Sequence, residues 1–83
     1  MIHVELLYFA AARDIIGHSH ERVRLPDHIK NIAAFSEWLR ARYPSLEPYW
    51  SCMRLAKNEQ FVGPDSPVSD NDVIALIPPV AGG

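Results

Sequence analysis

The residues with the plainest chemical potential stand at the end of the chain, where Pro78-Pro79-Val80-Ala81 runs into Gly82-Gly83. Two prolines fix φ and favour an extended path, so they make a stiff neck that leaves a folded body in a defined direction. Six extended residues reach roughly 20 Å. Glycine has no Cβ, so Gly82 and Gly83 fit a channel too narrow for any side chain. The α-carboxylate behind them is ionised at neutral pH, with a reference pKa near ~3.5. A stiff spacer ending in a slim carboxylate suits delivery of an acyl group into another protein's active site. The plain alternative is a frayed terminus that does nothing.

Other reactive side chains make weaker sets. Cys52 is the only cysteine. No paired His and acid can be picked out to activate it, so small core filling is the expected role of a cysteine placed in a strand. His18 and His20, with Asp14 or Glu21, lack the three well-spaced ligands of a metal site, and a solvated loop is the better reading. His3 behind a free amino terminus has the nitrogens to chelate copper or nickel, but a first strand would occupy that backbone. No glycine-rich phosphate loop occurs, so the chain itself is not expected to bind ATP, a cofactor or a metal.

These residues need a scaffold, and the pattern supplies one. Met1–Phe9 reads as a strand with Ile2, Val4, Leu6 and Tyr8 on one face. Its other face begins polar at His3 and Glu5 and ends apolar at Leu7 and Phe9. Ala10–Ile16 forms one or two helical turns stopped by Gly17. Glu21–Leu25 alternates as a half-buried strand closed by Pro26. Asn31–Tyr43 is the main helix, with Asn31 as N-cap, a stripe of Ile32, Phe35, Trp38 and Leu39, and Arg40 and Arg42 at its negative end. Pro44 stops it, and Pro48 and Trp50 fall in an irregular connection; Trp38 and Trp50 are read as core and cover. Cys52–Lys57 is a strand, Asn58-Glu59 a turn, and Gln60–Val62 a short return strand. Residues 63–72 are loop. Val73–Ile77 is a continuous apolar strand of the kind found inside a sheet. The whole is an α+β domain over residues 1–77, with one main helix packed on one face of a mixed sheet, and residues 78–83 as a flexible tail.

Composition limits the rest. With 83 residues there is room for one domain. Hydrophobic residues are 48% and charged residues 22%, as in a globular soluble chain. A net charge of −2 gives no basic footprint for nucleic acid. No apolar run reaches membrane-span length and no signal peptide is visible, so a cytoplasmic location is expected and no membrane partner.

Two stretches carry a family resemblance: IPPVAGG at the end and MIHVELLYFAAARDIIG at the start, supported by RARYP and LAKNEQFV between them. Together they resemble the small, sulfur-carrier subunits of molybdopterin synthase, a branch of the ubiquitin-like sulfur carriers. The resemblance covers essentially the whole chain; a bare terminal Gly-Gly is shared by all such carriers, and PPVAGG is the more specific part. It implies a β-grasp fold whose first and last strands pair in parallel at the sheet centre. It departs from the family at Asp70-Asn71-Asp72-Val73, where Gly-Asp-Glu is usual. Asn71 occupies the glycine position and tolerates left-handed backbone, so the turn should persist.

The resemblance also implies a chemistry. A ubiquitin-activating-like adenylating enzyme uses ATP to make an acyl-adenylate at Gly83, and a sulfur donor displaces AMP to leave a thiocarboxylate. The carrier docks on the large synthase subunit, expected as a heterotetramer, and its sulfur attacks a cyclic pterin precursor. Gly82 allows passage, Pro78, Pro79, Val80 and Ala81 form the neck, and the catalytic residues lie on the large subunit. The family docks through an apolar patch beside the tail, which points to Leu7, Phe9, Ile77 and Phe61; partial burial under loops is the alternative for each. Arg13 falls where the family often has an arginine near the activating enzyme, and an ordinary solvated arginine is the other reading. Three rival functions share the sequence features: a ubiquitin-like modifier of protein lysines, a carrier for thiazole or cysteine synthesis, and an interaction module with an inert tail.

Overall fold

Alternation in the first strand sets the architecture. The computed structural model describes residues 1–79. Within β1 (Ile2–Tyr8), Val4, Leu6 and Tyr8 are buried while the intervening side chains are half-buried. The remaining elements follow in order: α1 (Ala10–Ile16), β2 (His20–Leu25), α2 (Ile32–Arg42), a 3₁₀ helix (Pro44–Cys52), β3 (Arg54–Lys57), β4 (Gln60–Phe61) and β5 (Val73–Ile77). The five strands form one sheet in the order β2-β1-β5-β3-β4. β1 and β5 are parallel, Leu6 opposite Ile74, and every other pair is antiparallel. β5 therefore lies between β1 and β3, which is why VIALI is apolar on both faces.

One face of this sheet carries the core. Val4, Leu6, Val23, Leu25, Ile74 and Leu76 meet Ile32, Phe35 and Leu39 of α2. Trp38 and Trp50 are half-buried against the same cluster, and Trp38 stacks on Phe35. Local chemistry fixes the helix ends. Asn31 Oδ1 accepts the Ala34 N–H at 2.9 Å and so caps α2. Gly17 closes α1 at φ 98°, a left-handed geometry that other residues resist. Asn71 stands at φ 68°, so the asparagine does accept the backbone geometry its position requires.

Two sequence expectations are corrected. The connection after α2 is a nine-residue 3₁₀ helix rather than irregular chain. Cys52 ends that helix and is exposed, so it neither opens a strand nor fills the core; β3 begins two residues later at Arg54. The reason is that Leu46, Trp50 and Met53 supply the apolar contacts there, and the chain must complete a turn before it can enter the sheet. Among the described residues no helix is long and apolar enough to cross a membrane.

Candidate functional site

The face of the sheet opposite α2 holds the sequence-selected residues. Register makes one continuous row across four strands: Leu7 opposite Ala75, Ala75 opposite Ala56, and Ala56 opposite Phe61. Paired residues point to the same face, so two methyl groups form a low floor between two large side chains. The next row toward the C-terminal end of β5 contains Ile77, opposite Arg54, with Phe9 beside it on the β1 side, its N–H donating to the Leu76 carbonyl at 3.3 Å. The result is a shallow groove lined by Leu7, Phe9, Ala56, Phe61, Ala75 and Ile77, with Asn58 and Glu59 on its polar margin. Leu7 and Ile77 are half-buried, while Phe9 and Phe61 are 47% and 57% exposed. Two aromatic rings left half in water therefore border the same groove.

The neck begins at this groove. Pro78 follows Ile77 directly and is buried, and Pro79 is exposed. Val80, Ala81, Gly82 and Gly83 lie outside the described residues. The structure therefore brings Leu7, Phe9, Phe61 and Ile77 together on one face, with Pro78 following Ile77 directly in the chain. Arg13 lies on α1, exposed, and its one ionic contact among the described residues is a long one of 4.0 Å to Asp14.

Composition did not single out Ala56 and Ala75, yet their size makes the groove. Their signal was a small residue in the middle of each of two otherwise bulky segments, RLAK and VIALI. The lower margin is held by a polar set that sequence reasoning also passed over. Buried Asp72 accepts from Asn58 Nδ2 at 3.0 Å and from the Ser69 N–H at 2.7 Å, and Asn58 Oδ1 accepts the Val73 N–H. This pins the β3–β4 turn, with Asn58 and Glu59 both at positive φ, to the start of β5.

Two of the histidine candidates, His18 and His3, have structural partners. His18 Nε2 meets Glu21 Oε2, the same carboxylate that accepts from the Tyr43 hydroxyl and sits 3.3 Å from Arg42 Nε. Burial pushes the Glu21 carboxyl up, but the Tyr43 and His18 hydrogen bonds and the Arg42 charge outweigh it and hold it below the usual range. The cluster fastens β2 to the end of α2. His3 donates its backbone N–H to Asp70 Oδ1 at 2.8 Å, which occupies a nitrogen that chelation would need.

Comparison with known proteins settles the family. A model described as the ThiS family matches residues 6–83. The chain belongs to the ThiS family. This family member is 33% identical over 82 residues to the molybdopterin synthase sulfur carrier subunit of Arabidopsis thaliana, covering 99% of this chain and 84% of that one. Its fold superposes on subunit 1 of the molybdopterin converting factor from Pyrococcus furiosus with a TM-score of 0.84 at 25% identity, covering 96% of this chain and all of the other. It also superposes, at TM-score 0.71 and 22% identity over 99% of this chain and 100% of the other, on a chain from the complex of subunits 1 and 2 of the molybdopterin-converting factor of Helicobacter pylori. The β-grasp expectation, with its parallel β1–β5 pair, stands for this ThiS-family chain.

Proposed function

We propose that this ThiS-family chain is the sulfur carrier of a molybdopterin synthase, its small subunit, and acts in molybdenum cofactor biosynthesis. The observation that carries the reading is the position of the neck: Pro78 leaves the sheet beside Phe9 and Ile77, so a partner covering the apolar groove receives the tail at its own surface. Relatives named as sulfur carrier subunits over nearly the full length support it.

The chemistry follows from the end group. A carboxylate is a poor electrophile. Its oxygen attacks the α-phosphorus of ATP held by an adenylating enzyme, pyrophosphate leaves, and the acyl carbon of Gly83 becomes activated. A sulfur donor then adds to that carbon and AMP departs with the electron pair, leaving a thiocarboxylate. On the large subunit the sulfur displaces an oxygen substituent from a carbon of a cyclic pterin precursor, and water then cleaves the bond between sulfur and the Gly83 acyl carbon, leaving the sulfur on the pterin and returning the carboxylate. Holding the end group in place inside the partner supplies the proximity such a step needs. This chain brings a reactant, binding surface and reach, and the partner brings the acids and bases.

The test is reconstitution. The thiocarboxylated chain, mixed with the large subunit and the pterin precursor, should form the sulfur-containing pterin and return to the carboxylate. No sulfur-containing pterin, with sulfur delivered only into a thiazole or cysteine or the chain itself joined to protein lysines, would assign it to one of the rival functions.

A further inference from the structure

Arg54 has an unusual position for a charge. Its register partner is Ile77, the last residue before the neck, and it shares the open face with Ala56. Its guanidinium carbon lies 4.0 Å from the centre of the Phe61 ring. Arg54 lines a second depression containing Trp50 and Pro64, and Phe61, on which it stacks, lines both that depression and the apolar groove. Arg22, Arg40 and Arg42 each meet a carboxylate within the chain. Among the described residues Arg54 meets none. Glu59 lines the apolar groove, and the Lys57 ammonium is committed to Ser66 and the Pro67 carbonyl.

Stacking on an aromatic ring pre-organises a guanidinium, because the face of the fork is covered and its N–H donors point outward in one plane. A surface that covers Phe61 must cross that guanidinium and take water from it. Desolvating an unpaired charge is costly, whereas a carboxylate placed against the fork makes two charge-assisted bonds. Resting on the docking reading above, we propose that Arg54 is a specificity-determining residue: it pairs with a carboxylate on the large subunit, so that only an apolar surface carrying an acid at that point can close over the groove.

The experiment is calorimetric titration of the full chain against the large subunit at low and high salt, with melting temperature as a fold control. Arg54→Gln should keep its melting temperature, weaken binding about tenfold at low salt and flatten the salt dependence. Arg54→Glu should weaken it further, through like-charge contact. Arg54→Lys, which keeps the charge and loses the fork, should fall between Gln and wild type. Phe61→Leu should lose affinity and keep the salt slope. If Phe9→Ala weakens binding while Arg54→Gln and Arg54→Glu bind like wild type with the same slope, the docking reading survives and the role of Arg54 is overturned. If wild type does not bind the large subunit, both fall.

Discussion

Phe9 and Leu76 are joined by a backbone hydrogen bond of 3.3 Å, donated by the Phe9 N–H just beyond the last strand residue of β1. That bond puts an aromatic ring 47% exposed next to the strand that carries the neck. The bond is made by the backbone, so the ring can be removed without breaking it. Phe9→Ala should therefore leave the chain folded and weaken binding to the large subunit by roughly 1–3 kcal/mol, the value of an aromatic side chain fully buried in a complex. Calorimetry reads the affinity and circular dichroism the fold. An unchanged affinity would show that Phe9 is not part of the docking surface.

The groove also makes a steric prediction. Its floor is Ala75, between Leu7 and Ala56. Ala75→Leu adds bulk on the open face, away from α2, so the core should be little disturbed. It should fill the groove and reduce binding at least as much as Phe9→Ala. A variant that docks normally would mean that the partner does not enter the groove.

Asn71 tests the turn that separates the loop from β5. At φ 68° a side chain with Cβ branching is strained, by roughly 1–2 kcal/mol in left-handed geometry. Asn71→Val should lower stability by about that amount, and Asn71→Gly should stay within about 0.5 kcal/mol of wild type. Denaturant titration of the two variants decides it, and equal stability would contradict the turn geometry.

Much of this was legible because it is local. Gly17 and Asn31 each act through their own backbone or within one turn, so residue type alone announced a helix stop and a cap, while the left-handed position of Asn71 was implied by the family resemblance, which has a glycine there. VIALI announced a strand inside the sheet because no polar side chain interrupts it. The groove floor was not legible in that way. Ala56 and Ala75 are far apart in sequence and become one surface only through the β3–β5 register. Parallel pairing of β1 with β5 likewise came from family resemblance, since no local pattern states which strands meet. Cys52 misled because a short run such as SCMRLA fits a strand or the last turn of a 3₁₀ helix equally well, and tertiary contacts of Trp50 and Met53 decide between them. The strand itself begins at Arg54.

Glu21 gives a pH dependence. Its carboxyl is held below the ordinary value of 4.5 in the folded chain, because hydrogen bonds from Tyr43 and His18 and the charge of Arg42 prevail over burial. A depressed folded pKa means that the unfolded chain binds the proton more readily. The resulting stability is present above pH 4.5 and is lost as pH falls toward the folded value. Glu21→Gln should cost about 1.5–3 kcal/mol at neutral pH, the value of a hydrogen bond to a charged group. It should also reduce the loss of stability on acidification. Urea denaturation between pH 7 and pH 3 measures both, and parallel curves for the two proteins would contradict the role given to this carboxylate.

On the proposed reading Gly83 carries the sulfur, and intact-protein mass spectrometry detects it there. Wild type, incubated with its adenylating enzyme, ATP and a sulfur donor, should gain the mass difference of one oxygen replaced by sulfur, located in the C-terminal peptide. Deleting Gly83 withdraws the end group by ~3.5 Å, and Gly82→Ala places a Cβ where the channel must be slim. Both variants should remain folded and gain nothing. An unmodified wild type in the presence of an adenylating enzyme that thiolates another carrier, or variants thiolated as readily as wild type, would contradict the account.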